Sequence, residues 1–453
     1  MQATSINKTE LNRKLAKLAI PIAIQGVVTS TLNMVDNLMV GFLGETELAA
    51  VGVGSQIFMI HYMLLFGLIG GSATFMAQFY GAGDNKNIRK VAGLDISILF
   101  FVGTFFFIGV HFLLDPILGF YTKDPEVHAL AAQYVKINSF NFFFLAISAP
   151  LEMAFKATQQ TRVPMIVSSA VFTTNTVLNV LLIFGKLGLP KMGVAGAALA
   201  TAIARGLDVA LILFFVTRKR NVFIGSVRSY FGWRVDFVKR VVLNAMPTTI
   251  NELMWSLGQS MYVAAFNRIG TTAYAAFQAA NTVSNIFSFA GFSIGDATLI
   301  MVGEKLGEGK KEETWELSKH LVKVGTILGA ILGLGLMLVA WPLAHVFRLT
   351  PIGQTYAFKN MLVIGAFLVL HLHNGIHVTG TLRGGGDTRF AMLAEIFCVW
   401  FVAVPLAFIG ASVWHLPIYW AVALVRIEEV TKFFILTKRY LSKKWLNVMI
   451  KGL

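Results

Sequence analysis

TRKRNVFIGSVRSYFGWRVDFVKR, residues 217–240, is the longest polar break in a chain that otherwise consists of successive apolar runs, and it falls near the midpoint of the 453 residues. To either side, apolar stretches of 20 or more residues recur, and ~20 residues suffice for a helix to cross the ~30 Å hydrocarbon core of a bilayer. Charged or Gly/Pro-rich breaks delimit twelve spans, near 16–40, 48–78, 91–114, 128–154, 163–184, 192–217, 241–267, 272–303, 319–342, 357–382, 390–411 and 414–438. Six precede the break and six follow it. The expected fold is therefore an all-α polytopic membrane protein: an N-lobe over 1–216, a cytoplasmic linker at 217–240, a C-lobe over 241–438 and a C-terminal tail at 439–453.

Composition agrees. Apolar residues make up 56% and charged residues only 13% of the chain, against roughly 25% charged in soluble domains; the mean hydropathy is +0.69. Cys398 is the sole cysteine, which excludes a disulfide scaffold. The net charge of +15 does not point to nucleic acid, because the cations sit in short segments between apolar runs. With the N-terminus inside, one set of alternate loops and tails holds roughly 28 of the 38 Lys and Arg, and the opposite loops hold Lys123, Lys186, Lys191, Arg268 and Arg348. Positive charge stays cytoplasmic, so both termini are expected there. The polar, basic start (MQATSINKTELNRKLAKLAI) leads straight into a full-length span, without the short apolar core and cleavage site of a removable signal.

The halves repeat. FKATQQTRVP (155–164) aligns with LRGGGDTRFA (382–391) at an offset of 227, Gly81 and Gly83 align with Gly307 and Gly309 at 226, and Gly44 with Ala49-Ala50 aligns with Gly270 and Ala275-Ala276 at 226. An even number of spans per repeat gives both copies one orientation, so the lobes are expected to be related by a pseudo-two-fold axis along the membrane normal around a central cavity. That is the plan of a secondary transporter. No G-x-x-x-x-G-K-[ST] is present, so an ion gradient has to drive it. An intramembrane enzyme would need a nucleophile or metal set at membrane depth, and none is found; no catalytic residue and no cofactor is expected. A channel would not need the duplication.

Ionisable groups at membrane depth are costly and therefore candidates for function. Asp36, in LNMVDNLMVGFLG, has no basic residue within helical reach. Asn175 and Asn179 stand at i, i+4 and put two amides on one face of the fifth span, which also suits simple helix knitting; Thr201 adds a hydroxyl at a small-residue interface. In the second half Glu252, Asp296, Glu428 and Glu429 lie within spans. They suit attraction of a cationic substrate or carriage of a proton, although Arg426 and Lys432 are placed to neutralise Glu428 and Glu429 along one helix. Asp208 reads as the partner of Arg205. His371, His373 and His377 lack a nearby carboxylate or cysteine to complete a metal set, and Gly325, Gly329 and Gly333 read as close helix packing.

VDNLMVGFLG (35–44), MAQFYGAGDNKNIRK (76–90), TTNTVLNVLLIFG followed by GVAGAALATAIA, and TGTLRGGGDTRF (379–390) together resemble the MATE family of multidrug and toxic compound extrusion transporters, over essentially the whole chain. The resemblance implies a bacterial inner-membrane antiporter, monomeric, exporting small cationic or amphipathic organic compounds in exchange for Na⁺ or H⁺. It also implies an N-lobe cation site at Asp36, Asn175, Asn179 and Thr201, with no metal other than that Na⁺, and a seventh-helix carboxylate at Glu252. Asn179 stands where many relatives carry a second carboxylate, which weakens the pull on Na⁺ while keeping an oxygen ligand. The rival within the superfamily, a flippase for lipid-linked precursors, would want a cationic cavity, and here the buried charges are mainly acidic.

Overall fold

The computed structural model describes residues 8–218, 223, 225–347 and 349–453. Residues 1–7, 219–222 and 224, together with Arg348 of the outer-loop tally, lie outside these. Among the described residues every regular element is helical. In order they are α1 (Lys8–Gly41), α2 (Glu45–Gly81), α3 (Asn85–Phe112), α4 (Leu114–Tyr121), α5 (Pro125–Asn138), α6 (Asn141–Ala157), α7 (Arg162–Phe184), α8 (Gly193–Arg218), α9 (Arg228–Phe231), α10 (Val235–Asn267), α11 (Thr271–Gly307), α12 (Lys311–Val346), α13 (Pro351–Gly375), α14 (Thr388–Phe397), α15 (Val404–Phe408), α16 (Ile418–Val425) and α17 (Ile427–Leu441). π-Helical stretches extend α13 through Ile376–Leu382, join α14 to α15 through Cys398–Ala403, and follow α15 through Ile409–Val413.

The boundaries follow local chemistry. Asp84 starts α3 by accepting from the Asn87 amide, and Asp124 starts α5 by accepting from Glu126 and Val127 with Pro125 at the first position, where its missing N–H costs nothing. Nine of the described helical segments are long and apolar enough to cross a membrane, and α5 with α6, bent by 45°, make a tenth. The bend sits where Asn141 donates to the Asn138 side chain at 2.8 Å and the Ser139 hydroxyl donates to the Lys136 carbonyl. Spans 241–267 and 414–438 are the expected ones that do not qualify. They carry Asn251 and Glu252, and Glu428, Glu429 and Lys432, and the second is interrupted at Arg426 between α16 and α17. Polar groups lower the apolarity of α10, and the break at Arg426 leaves α16 and α17 each shorter than the ~20 residues a crossing needs.

The chain divides into two compact units: Ile24–Met76 with Asp84–Val241, and Met1–Ala23 with Ala77–Gly83 and Val242–Leu453. The first unit has a core around Ile57, Leu118, Val135 and Phe142, and a smaller one where Val40 and Val51 meet Ile183 and Ala197. The second is built around Phe266, Leu336, Met361, Ala403 and Val422. In it Gly329 of α12 lies against Val369 and Leu372 of α13, and Gly333 under the Gly365 carbonyl. The small-residue run thus lets two backbones approach closely, as a membrane helix pair without a hydrophobic driving force requires. Large apolar side chains such as Phe101, Phe105, Leu338 and Phe401 remain exposed, which suits a lipid environment.

Candidate functional site

The candidate residues of the first half converge within one unit. Asp36 comes from α1, Asn175 and Asn179 from successive turns of α7, and Thr201 from α8. The segment GVAGAALA that opens α8 makes this approach possible: a Cβ on Gly196 would collide with the Leu182 carbonyl of α7. The side chains then form one continuous chain. The Asn179 amide nitrogen donates to the Asp36 carboxylate and to Asn175 Oδ1 at 3.0 Å; the Asn175 amide donates to Thr201 Oγ1 at 3.3 Å, and Thr201 donates to the Ala197 carbonyl at 3.0 Å. Asn175 and Asn179 are buried.

The set holds a single formal charge, on Asp36, whose partner within it is the Asn179 amide N–H. Asn179 Oδ1 is buried with no hydrogen-bond partner. A buried acceptor without a donor is unfavourable by about 1–3 kcal/mol, and it is the kind of oxygen a hard cation uses. The donor set is thus one carboxylate, two amide oxygens and one hydroxyl, which fits Na⁺ as a co-substrate better than a soft metal.

A second polar group in the same unit escaped the sequence reading. Gln25 of α1 donates to Glu152 at 2.9 Å and to Ser168 at 3.1 Å, while Arg205 pairs with Asp208 at 3.4 Å as expected. Thr29, Ser168, Arg205 and Asp208 line a small cavity with apolar walls from Val28, Leu32 and Val171. Glu152, in SAPLEMAF, is a lone carboxylate in an apolar run, so the criterion that singled out Asp36 applies to it equally.

In the second half the expected carboxylates are engaged by partners distant in sequence. Glu252 takes the Arg383 guanidinium at 2.9 Å, with side chains 13% and 6% exposed, so its missing cation is supplied from beyond α13. Glu428 accepts from the Tyr262 hydroxyl at 3.1 Å and lies 3.8 Å from Lys432, the helical neighbour foreseen for it. Glu429 is held by His371 at 2.7 Å and by Asn374 at 2.8 Å. Lys432 also reaches Glu395 at 3.7 Å, and Asn251 donates to Glu395 at 2.6 Å; Glu395 was another lone carboxylate overlooked in an apolar run. Asp296 is half-buried on α11. The remaining histidines are apart from this network: His373 meets Thr326 at 2.8 Å and His377 meets Thr381 at 3.1 Å. Among the described residues no three His, Cys, Asp or Glu side chains gather as a metal site.

The MatE family model matches residues 21–181 and 247–409. The matched segments start 226 residues apart, the offset of the internal repeat. The probable multidrug resistance protein NorM of Thermotoga maritima is 24% identical over 437 residues, covering 96% of this chain and 93% of that protein. The probable multidrug resistance protein YoeA of Bacillus subtilis is 26% identical over 414 residues, covering 89% and 88%. Among solved structures, a multidrug resistance MATE family transporter of the MOP superfamily, in an outward-facing conformation, superposes with a TM-score of 0.86 at 20% identity, over 96% of this chain and 97% of that one.

Proposed function

The chain belongs to the MatE family of membrane transporters, and from that premise we propose that it is a secondary active multidrug efflux antiporter, exporting cationic or amphipathic organic compounds in exchange for Na⁺ or H⁺. The observation that carries the reading is the chain Asp36, Asn179, Asn175 and Thr201, one carboxylate among neutral oxygen donors drawn from three helices. Asp36 holds the coupling charge, either as a Na⁺ ligand assisted by Asn179 Oδ1, Asn175 Oδ1 and Thr201 Oγ1 or as the proton carrier. Its occupancy biases the conformational equilibrium, and coupling requires that cation and drug prefer opposite conformations.

In the second half Glu252, Asp296, Glu428 and Glu429 are the proposed proton carriers or cation-attracting groups, with Arg383 and Lys432 as the fixed cations that compete for Glu252 and Glu428. The proposed lobes are 1–216 and 241–438, joined by 217–240, in a monomer in a bacterial plasma membrane with both termini cytoplasmic. Predominantly acidic buried groups favour this over flipping an anionic lipid-linked precursor.

The test is efflux of a fluorescent cationic dye from proteoliposomes under an imposed Na⁺ or pH gradient. The gradient that drives uphill transport identifies the ion, and Asp36→Asn is expected to abolish it. An Asp36→Asn variant that pumps at the wild-type rate overturns the site, and no transport under either gradient overturns the antiporter reading.

A further inference from the structure

Residues 223 and 225–234 of the polar break are clamped onto the start of α3. Phe223 is buried, with its ring 4.5 Å from that of Phe155. The Tyr230 hydroxyl donates to the Phe223 carbonyl at 3.0 Å, and Trp233 donates its indole N–H to the Lys90 carbonyl at 2.9 Å. Gly93 permits the approach, since a Cβ there would run into the Tyr230 carbonyl. This clamping leaves an open cavity of about 330 Å³ lined by Lys86, Lys90, Ser226, Arg228, Ser229 and Gly232. Three cations and two hydroxyls line it, and no carboxylate does. None of the three forms an ion pair with a carboxylate among the described residues; Lys90 rests over the Phe237 ring at 5.7 Å, and Asp236, close by in sequence, is exposed and does not line the cavity. Lys86 and Arg228 are exposed and Lys90 half-buried, and cations gathered round one open space attract an anion.

The surroundings indicate which anion. Val227 is 75% exposed, Val235 83% and Phe231 46%, so apolar side chains stand bare beside the basic cavity. The cavity lies at the polar end of α3, one of the helices apolar enough to cross the bilayer. A free phosphate would be served by the cations alone, whereas an apolar rim at the end of a membrane helix suits a ligand with acyl chains. We infer that Lys86, Lys90 and Arg228 form a binding site for the phosphate of an anionic phospholipid from the leaflet facing the basic loops, with Val227, Phe231 and Val235 against its chains. Arg228 offers paired N–H donors to phosphate oxygens, the two lysines act as point charges, and Ser226 and Ser229 add hydroxyls. Such basic pockets recognise anionic headgroups with roughly additive contributions from each cation.

The full chain in detergent is mixed with equal phosphatidylglycerol and phosphatidylcholine, and retained lipid is counted by native mass spectrometry. Wild type is expected to retain phosphatidylglycerol preferentially, and Lys86→Gln/Lys90→Gln/Arg228→Gln to lose that preference roughly tenfold or more. Lys438→Gln/Lys444→Gln, which lowers net charge elsewhere, is expected to keep it. If the triple variant does not remain monodisperse, Arg228→Gln alone is read for a partial loss, and Lys86→Arg/Lys90→Arg for retention. Equal retention by the triple or single glutamine variant and wild type overturns the site. Complete displacement of phosphatidylglycerol by millimolar inorganic phosphate overturns the lipid assignment in favour of a free phosphate.

Discussion

Asp36 is a half-buried carboxylate whose partner is an amide, Asn179, that keeps its own oxygen without a donor. Changing that amide to a carboxylate places a second charge on the same oxygen set. Two unit charges ~4 Å apart at an effective dielectric of ~20 interact by about 4 kcal/mol; most of that is offset by repulsion between the carboxylates when the cation is absent. Asn179→Asp is therefore expected to lower the Na⁺ concentration for half-maximal dye efflux by roughly tenfold, and an unchanged or raised requirement removes Asn179 from the cation's shell. Glu252 and Arg383 make a different prediction. Their side chains are nearly buried against each other, and removing one partner of a buried pair costs about 3–5 kcal/mol. Arg383→Met is expected to lower the melting temperature in detergent strongly, with Glu252→Gln/Arg383→Met recovering much of the loss; Arg383→Met melting like wild type sinks the pairing. Asp36 was legible because a carboxylate in an apolar run is expensive wherever the fold puts it. Glu152 and Glu395 were equally legible by that rule and went unread. The bond from Glu252 to Arg383 spans 131 residues, and no periodicity links positions so far apart.

At the scale of elements, the glycines that first indicated a repeat turn out to be a helix crossing. A Cβ on Gly81 of α2 would strike the Glu304 carbonyl of α11, and a Cβ on Gly307 of α11 would strike the Gln78 carbonyl of α2. Gln78 and Glu304 are themselves 226 apart, so the crossing carries the pseudo-symmetry of the repeat. The side chains at these positions have diverged: Glu304 takes Lys14 at 2.6 Å, while Gln78 binds the C-terminal segment, donating to the Asn447 carbonyl at 3.0 Å and accepting from the Met449 amide at 2.7 Å. Backbone, unlike a flexible side-chain end, cannot yield cheaply. Gly81→Ala and Gly307→Ala are each expected to destabilise by about 1–3 kcal/mol or more. Gly83→Ala, with open space but a φ of +73°, is expected to cost only the ~1 kcal/mol of a left-handed backbone. Thermal unfolding of the three variants orders them, and a Gly83 effect as large as the other two discards the crossing as the cause. The long apolar helices were legible from length alone. The bend between α5 and α6 and the break at Arg426 were not: the bend sits at side-chain bonds of Asn138, Ser139 and Asn141, and the break precedes Glu428, Glu429 and Lys432, whose partners on α13 and α14 are distant in sequence.

Over the whole molecule, the duplication was legible in three landmarks at a nearly constant offset, and the two family matches begin at that same spacing. Orientation rests on a different physical argument, the retention of Lys and Arg on the cytoplasmic side. It yields a test that no contact within the fold can supply. Leu187, in the loop between α7 and α8, is 90% exposed, and the charge asymmetry puts it outside; Lys444, exposed after α17, falls inside with the C-terminal tail. Cys398 is buried, and Cys398→Ala leaves a background without thiols. Against that background a membrane-impermeant maleimide added to intact cells is expected to label Leu187→Cys at once and Lys444→Cys only after permeabilisation. The reverse pattern would invert the topology and move the basic cavity of Lys86, Lys90 and Arg228 to the opposite leaflet. Labelling of both from outside would mean that an even number of crossings separates the α7–α8 loop from the tail, and so that either the polar helix α10 or the broken pair α16 and α17 does not span the membrane.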